Sequence, residues 1–179
     1  MKISKVLFVV FMLMQIGLIA QVDKVNTGFG IGYQLVQYQS DFGFGVNINS
    51  PYFANEHIGL RLKTNLMYNQ NVVDGQSQWM TYSNVSLGMI GVAAVINNSI
   101  RLYGEGGVLV VFPSSKFSNE SFVMGGYGLF GFEFFFSRSG NYFIELGGIG
   151  AGTTADKIET KPIYSNGFSI STGFRFSFK

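Results

Sequence analysis

The chain has 179 residues, 47% of them hydrophobic and only 12% charged, with no cysteine. It therefore builds neither a disulfide framework nor thiolate chemistry, and its charged share is about half that of an ordinary soluble domain. The formal charge of +2 resides in Lys2 and Lys5; beyond them ten basic and ten acidic side chains cancel, leaving no basic footprint for nucleic acid.

The first element is a targeting segment. Met1–Lys5 is basic, Val6–Ala20 is almost wholly apolar, and Gln21 resumes polar sequence. A short basic region before a roughly 15-residue apolar run is the pattern of a secretory signal peptide, and it is short for a spanning helix. Residues 1–20 are expected to be removed during export through the Sec pathway, with Ala20 as cleavage residue. Leu18 at the −3 position departs from the small residue usual there, and a retained anchor is the alternative. No Cys follows the apolar run, which excludes lipoprotein processing. Residues 21–179 form a single domain.

Eight candidate strands follow, each read from period-two alternation. Thr27–Tyr38 sets Phe29, Ile31, Tyr33 and Leu35 against Gly28, Gly30, Gly32 and Gln34. Asp41–Asn49 sets Phe42, Phe44, Val46 and Ile48 against Gly43, Gly45, Asn47 and Asn49. His57–Tyr68 sets Ile58, Leu60, Leu62 and Leu66 against His57, Gly59, Arg61, Lys63 and Asn65. Trp79–Ile96 is overlong and its alternation blurs at Gly91–Val95, where a bulge is expected. Ile100–Phe112 sets Ile100, Leu102, Val108, Val110 and Phe112 against Arg101, Tyr103, Glu105 and Gly107. Phe122–Phe136 sets Phe130, Phe132, Phe134 and Phe136 against Gly131, Glu133 and Phe135. Asn141–Gly150 sets Tyr142, Ile144 and Leu146 against Phe143, Glu145 and Gly147. In Ser169–Phe178, Ile170, Phe174, Phe176 and Phe178 share one parity, interrupted by Thr172, while Ser171, Gly173, Arg175 and Ser177 share the other.

The connections alternate between tight turns (Asn97–Ser99, Ser137–Gly140) and longer polar loops (Asn69–Gln78, Pro113–Ser121, Thr153–Asn166). Gln39–Ser40 and Ser50–Ala54 break that alternation in length. Arg61, Lys63, Arg101, Glu105, Glu133, Glu145 and Arg175 all lie on the small or polar parity of their strands, and none on the aromatic parity. A lipid-facing Arg or Lys costs about 2–4 kcal/mol at mid-bilayer, whereas facing inward these four cations and three anions form a mutually neutralising lumen network. No stretch after residue 20 approaches the roughly 20 apolar residues of a spanning helix. The pattern is that of an eight-stranded antiparallel transmembrane β-barrel, apolar outside, with glycines and charges in the bore. A soluble barrel or sandwich is the alternative, but four same-face phenylalanines would overfill so small a bore. Tyr38, Tyr68, Trp79 and Phe112 at one end, and Tyr142 and Phe178 at the other, are expected to form interfacial girdles.

Three segments carry a family resemblance: Arg101–Val108 (RLYGEGGV), Gly131–Phe136 (GFEFFF) and the last strand. Through them residues 27–178 resemble the small outer-membrane β-barrels often labelled porin-family, especially those of Bacteroidetes-type bacteria. The resemblance implies the outer membrane of a Gram-negative cell and contact with its lipid. It also implies delivery by the barrel-assembly machinery, with Ser171, Gly173, Phe176 and Phe178 as the assembly signal; Lys179 departs from the usual terminal aromatic. The family often has no defined activity.

Catalytic patterns are absent from the sequence. Gly126-x-Gly128-x-x-Gly131 formally matches a dinucleotide fingerprint but runs into a strand where a helix is required. Asn84, Asn97 and Asn119 head sequons that have no meaning in a bacterial envelope. His57 is the single histidine, without the Ser partner used by lipid-modifying barrels or the ligand cluster of a metal site. Glu133 and Glu145 are read as partners of Arg61, Arg101 and Arg175 rather than as an acid pair. The expectation is a non-enzymatic barrel with no cofactor, a plugged charged lumen and surface loops open to an extracellular ligand that the sequence does not identify. A narrow channel or apolar-ligand conduit is the alternative, and a lipid-modifying enzyme the third reading.

Overall fold

Alternating residues commit each segment to a two-faced strand, and eight such strands leave no edge unpaired. The computed structural model describes residues 25–73 and 76–178. The strands are β1 (Phe29–Tyr38), β2 (Asp41–Asn49), β3 (Ile58–Val73), β4 (Gln76–Ile96), β5 (Ile100–Phe112), β6 (Val123–Phe135), β7 (Gly140–Thr154) and β8 (Ile163–Phe178). Sequence neighbours pair antiparallel, and β8 pairs with β1 from Phe29 opposite Phe178 to Tyr38 opposite Ser169, closing the ring. The segment 1–20 and Lys179 lie outside the described residues.

All eight expected strands are present, but those at the loop end are longer than the alternation indicates. Asn69–Gln78, read as a loop, is largely ladder: β3 and β4 stay paired from Asn69 opposite Met80 to Val73 opposite Gln76. The loop read over Thr153–Asn166 shrinks to residues 155–162, because Thr153 and Thr154 pair with Tyr164 and Ile163. Backbone pairing is made by main-chain N–H and C=O groups and needs no apolar alternation, so the hydrophobic signal stops before the ladder does. The expected bulge is real: the β4–β5 register shifts between Val92 and Ala94. Asn97 and Asn98 turn the next hairpin with φ of 47° and 51°, the left-handed conformation that Asn tolerates best among non-glycine residues.

The two faces fall as the parity requires. Phe29, Ile31, Tyr33, Leu35, Phe44 and Leu62 point outward and are exposed, while Arg61, Lys63 and Arg175 are buried inside. Thr172 faces outward, where its hydroxyl donates to the Phe143 carbonyl at 2.9 Å and so hides its polarity. Outer aromatics meet along and across strands: Phe130 and Phe132 of β6 edge to face at 4.9 Å, and Tyr142 of β7 with Phe174 of β8 at 5.3 Å. Such contiguous apolar area far exceeds what a monomer tolerates in water.

Two expectations are corrected. Tyr38 belongs to no girdle; it is buried inside beside Val36, because the inward parity of β1 turns from glycine and Gln34 to bulkier apolar residues as the strand leaves the charged level. Tyr68, Trp79 and Phe112 do face outward, with Phe42 stacked on Tyr68 and edge-on to Trp79. The glycines, moreover, do not all line the bore. Gly106, Gly128 and Gly148 form one outward-facing row across β5, β6 and β7, because those strands carry glycine on both parities.

Residues 50–57 cross the end that holds both barrel termini. The Tyr52 N–H donates to the Thr27 carbonyl at 2.8 Å, and Phe53 bridges to Ile58. Ala54, Asn55 and Glu56 run through φ of 49°, 58° and 68°, a costly conformation for non-glycine residues. The His57 N–H, reaching the Phe53 and Ala54 carbonyls at 3.2 and 3.3 Å, secures the turn.

Candidate functional site

The barrel closes its circumference with inward side chains at each level, so residues far apart in sequence meet on its axis. At the level nearer the termini, the structure brings all seven sequence-predicted lumen charges together. Arg61 Nη1 reaches Glu105 Oε2 at 2.6 Å and Glu145 Oε1 at 2.7 Å. Lys63 Nζ lies 2.9 Å from Glu105 Oε1 and 3.2 Å from Glu145 Oε2. Arg101 Nη1 meets Glu133 Oε2 at 3.0 Å, and Arg175 Nη1 meets Glu133 Oε1 at 2.8 Å, while Arg175 Nη2 also contacts Glu145.

Neutral side chains complete the cluster. The Tyr103 hydroxyl donates to Glu145 Oε1 at 2.6 Å and accepts from Arg175 Nη1 at 3.0 Å. The Tyr127 hydroxyl donates to Glu105 at 2.7 Å, and Ser171 Oγ to Glu145 at 2.9 Å. Arg175 lies over the Phe143 ring at 3.5 Å from its centroid, and Arg101 lies near Phe135 at 5.0 Å and Tyr52 at 4.6 Å. A relay of amides then climbs the bore: Arg175 Nε donates to Asn47, Asn47 to Gln34, Gln34 to Asn65 and Asn65 to Asn84, at 3.0, 3.1, 2.7 and 2.9 Å. Buried charges are costly unless paired and hydrogen-bonded, and each of these seven has at least one oppositely charged partner.

Toward the loop end the filling turns apolar. Val36, Met67, Leu109, Val111, Ile149 and Phe117 pack into one cluster with Tyr38, Tyr82 and Tyr164. Phe117 arrives from the 113–122 loop, whose fold is latched to the 155–162 loop: the Asn119 N–H donates to Asp156 Oδ1 at 2.9 Å, and Lys157 Nζ to the Ser115 carbonyl at 2.7 Å. The Asn119 backbone N–H holds the Asp156 carboxyl below its usual range. Asp41 is buried at this end and met by neutral donors: the Tyr82 hydroxyl at 2.5 Å, the Ser165 N–H at 2.8 Å and the Asn69 amide.

The other predicted residues fall apart from this cluster. His57 is exposed in the 50–57 segment, with Nδ1 2.8 Å from the Asn55 carbonyl. Ser171 and Gly173 face inward, and a Cβ on Gly173 would lie 2.0 Å from the Tyr33 carbonyl oxygen; Phe176 and Phe178 face outward and are exposed. Among the described residues no group of three His, Cys, Asp or Glu side chains could hold a metal ion. Sequence reasoning missed Tyr127 and the amide relay as parts of the network. Their inward parity next to charged positions was the available signal, but only closure of the ring shows which levels coincide.

With this geometry in view, solved structures of similar shape are informative. The N-terminal β-barrel domain of Pseudomonas aeruginosa OprF superposes with a TM-score of 0.60 at 14% identity, covering 86% of this chain and 98% of that one. The outer membrane protein OprG from Pseudomonas aeruginosa gives 0.59 at 13% identity, covering 88% and 99%. The chain has the fold of an eight-stranded outer-membrane barrel. No protein-family model and no curated sequence matches it, so the likeness is one of architecture, carried by alternation and closure rather than by shared residues.

Proposed function

We propose that the protein is an outer-membrane β-barrel with a structural or surface-interaction role, exported by the Sec route after loss of residues 1–20 and inserted by the barrel-assembly machinery. Its apolar outer wall and the folds it is similar to support the membrane location. One observation carries the role: the bore is filled at two successive levels, by the seven-charge cluster at one and the Leu109–Ile149–Phe117 cluster at the next. Eight strands leave a bore just wide enough for side chains. A cavity between the two levels measures about 20 Å³, roughly the room for one water. Such a lumen favours loops that present a surface over a pore that conducts, and the buried carboxylates serve as counter-ions rather than as an acid pair. Planar-bilayer recording of the refolded protein tests this. Silence is the expected result; discrete conductance steps in the native sequence would overturn the plugged lumen and favour a narrow channel.

A further inference from the structure

The seven charges of the lower lumen do not balance. Arg61, Lys63, Arg101 and Arg175 face Glu105, Glu133 and Glu145, and all seven are buried. Asp41 does not correct the excess at that level, because it is bound at the loop end by Tyr82, Asn69 and Ser165. Donors are in surplus as well. Arg61 Nη2 and Arg101 Nε are buried without a hydrogen-bond acceptor, and Arg61 Nη2 finds Glu133 only at 3.6 Å. A buried charge without compensation is among the costliest features a protein interior can hold.

The cavity of about 20 Å³ between the two levels touches this cluster through Lys63. Its polar lining includes Lys63, Gln34, Ser86, Ser169 and Ser171 together with Tyr127, and Leu109 and Ile149 lie on its apolar side. Lys63 has three ammonium protons, two carboxylate partners and the Tyr127 ring at 5.2 Å, so its ammonium has room for one further oxygen or anion acceptor. Both nearby carboxylates are already occupied. Glu105 is held by Arg61, Lys63 and Tyr127, and Glu145 by Arg61, Lys63, Arg175, Tyr103 and Ser171. A water molecule would fill the space but leave the charge.

We propose that this cavity is a binding site for a single monovalent halide ion, chloride under physiological conditions, seated against the Lys63 ammonium and neutralising the seven-charge level of the lumen. A halide is small enough for the space, accepts hydrogen bonds from every direction and tolerates an apolar side. Carboxylates and phosphates are too large.

The full-length protein in detergent micelles tests the proposal. Its thermal midpoint should rise with chloride or bromide concentration at fixed ionic strength, as for any ligand that binds only the folded state, and should not respond to gluconate. Lys63→Met removes the excess cation, leaving three cations and three anions. The variant is expected to fold and to lose the halide response. Crystals grown in bromide should show a bromine anomalous peak in contact with Lys63 Nζ. This last readout needs no variant: a water without anomalous signal at that position overturns the proposal, as does a wild-type midpoint that is the same in bromide and gluconate.

Discussion

Arg61 and Glu145 meet at 2.7 Å although their strands, β3 and β7, stand half the ring apart. The pair is a strut across the diameter of the barrel, and Glu145 also receives Lys63, Arg175, Tyr103 and Ser171. Glu145→Gln should therefore take one of its carboxylate partners from each of three buried cations, which keep Glu105 or Glu133, and lower stability by about 3–5 kcal/mol. Urea unfolding in micelles measures this. Glu159→Gln, in the exposed 155–162 loop, serves as a control expected to change stability by less than about 0.5 kcal/mol. Equal effects of the two changes would remove the strut from any account of stability.

Leu62 sits between Arg61 and Lys63 but faces outward, 44% exposed. Leu62→Arg moves a guanidinium one residue along the strand and onto the opposite face. In lipid vesicles the expected cost is about 2–4 kcal/mol. A neutral outcome there would mean that this face does not meet hydrocarbon.

Two glycines of β6 should answer oppositely to alanine. A Cβ on Gly131 would lie 2.2 Å from Tyr103 Cζ, whose ring is fully buried and tied to Glu145. Gly131→Ala is expected to cost about 1–3 kcal/mol by overpacking. Gly128 faces outward with nothing within 4 Å of its would-be Cβ. Gly128→Ala should be neutral or mildly stabilising through the unfolded chain. Thermal melts of both variants decide between these outcomes.

The latch between the two outer loops should depend on pH. Asp156 has a depressed carboxyl pKa in the folded state, chiefly from the Asn119 N–H. Its contribution is therefore present above the pKa of the unfolded chain and is lost as pH falls through the lower, folded value. Amide exchange at Asn119 should accelerate in that acid range while β-ladder amides stay protected. Asp156→Asn should make exchange at Asn119 fast at neutral pH as well. An Asn119 amide equally protected in both proteins would show that the latch does not order the loops.

Phe178 is exposed and pairs opposite Phe29 at the seam that closes the ring. Deleting residues 178–179 should impair insertion much more than deleting Lys179 alone, as read by heat-modifiable mobility of the protein recovered from outer membranes. Indistinguishable yields would leave β8 a barrel strand without an address.

Alternation along the chain determined which side chains face out. Phe130, Phe132 and Phe134 cannot share the bore with Glu133, because neighbouring residues on a strand point to opposite faces. The same rule put all seven charges on one side of the wall, and the Gly91–Val95 irregularity marked the bulge. Tertiary structure decided what lies opposite what. No local pattern tells that Arg61 reaches Glu145 across the bore, that Tyr127 closes onto Glu105, or that Asn47, Gln34 and Asn65 form one relay. Those contacts depend on the stagger of eight strands at closure, a property of the whole ring. Tyr38 and the outward glycine row follow from the same limit. Parity gives a residue its face, but only its height in the closed barrel gives that face its surroundings.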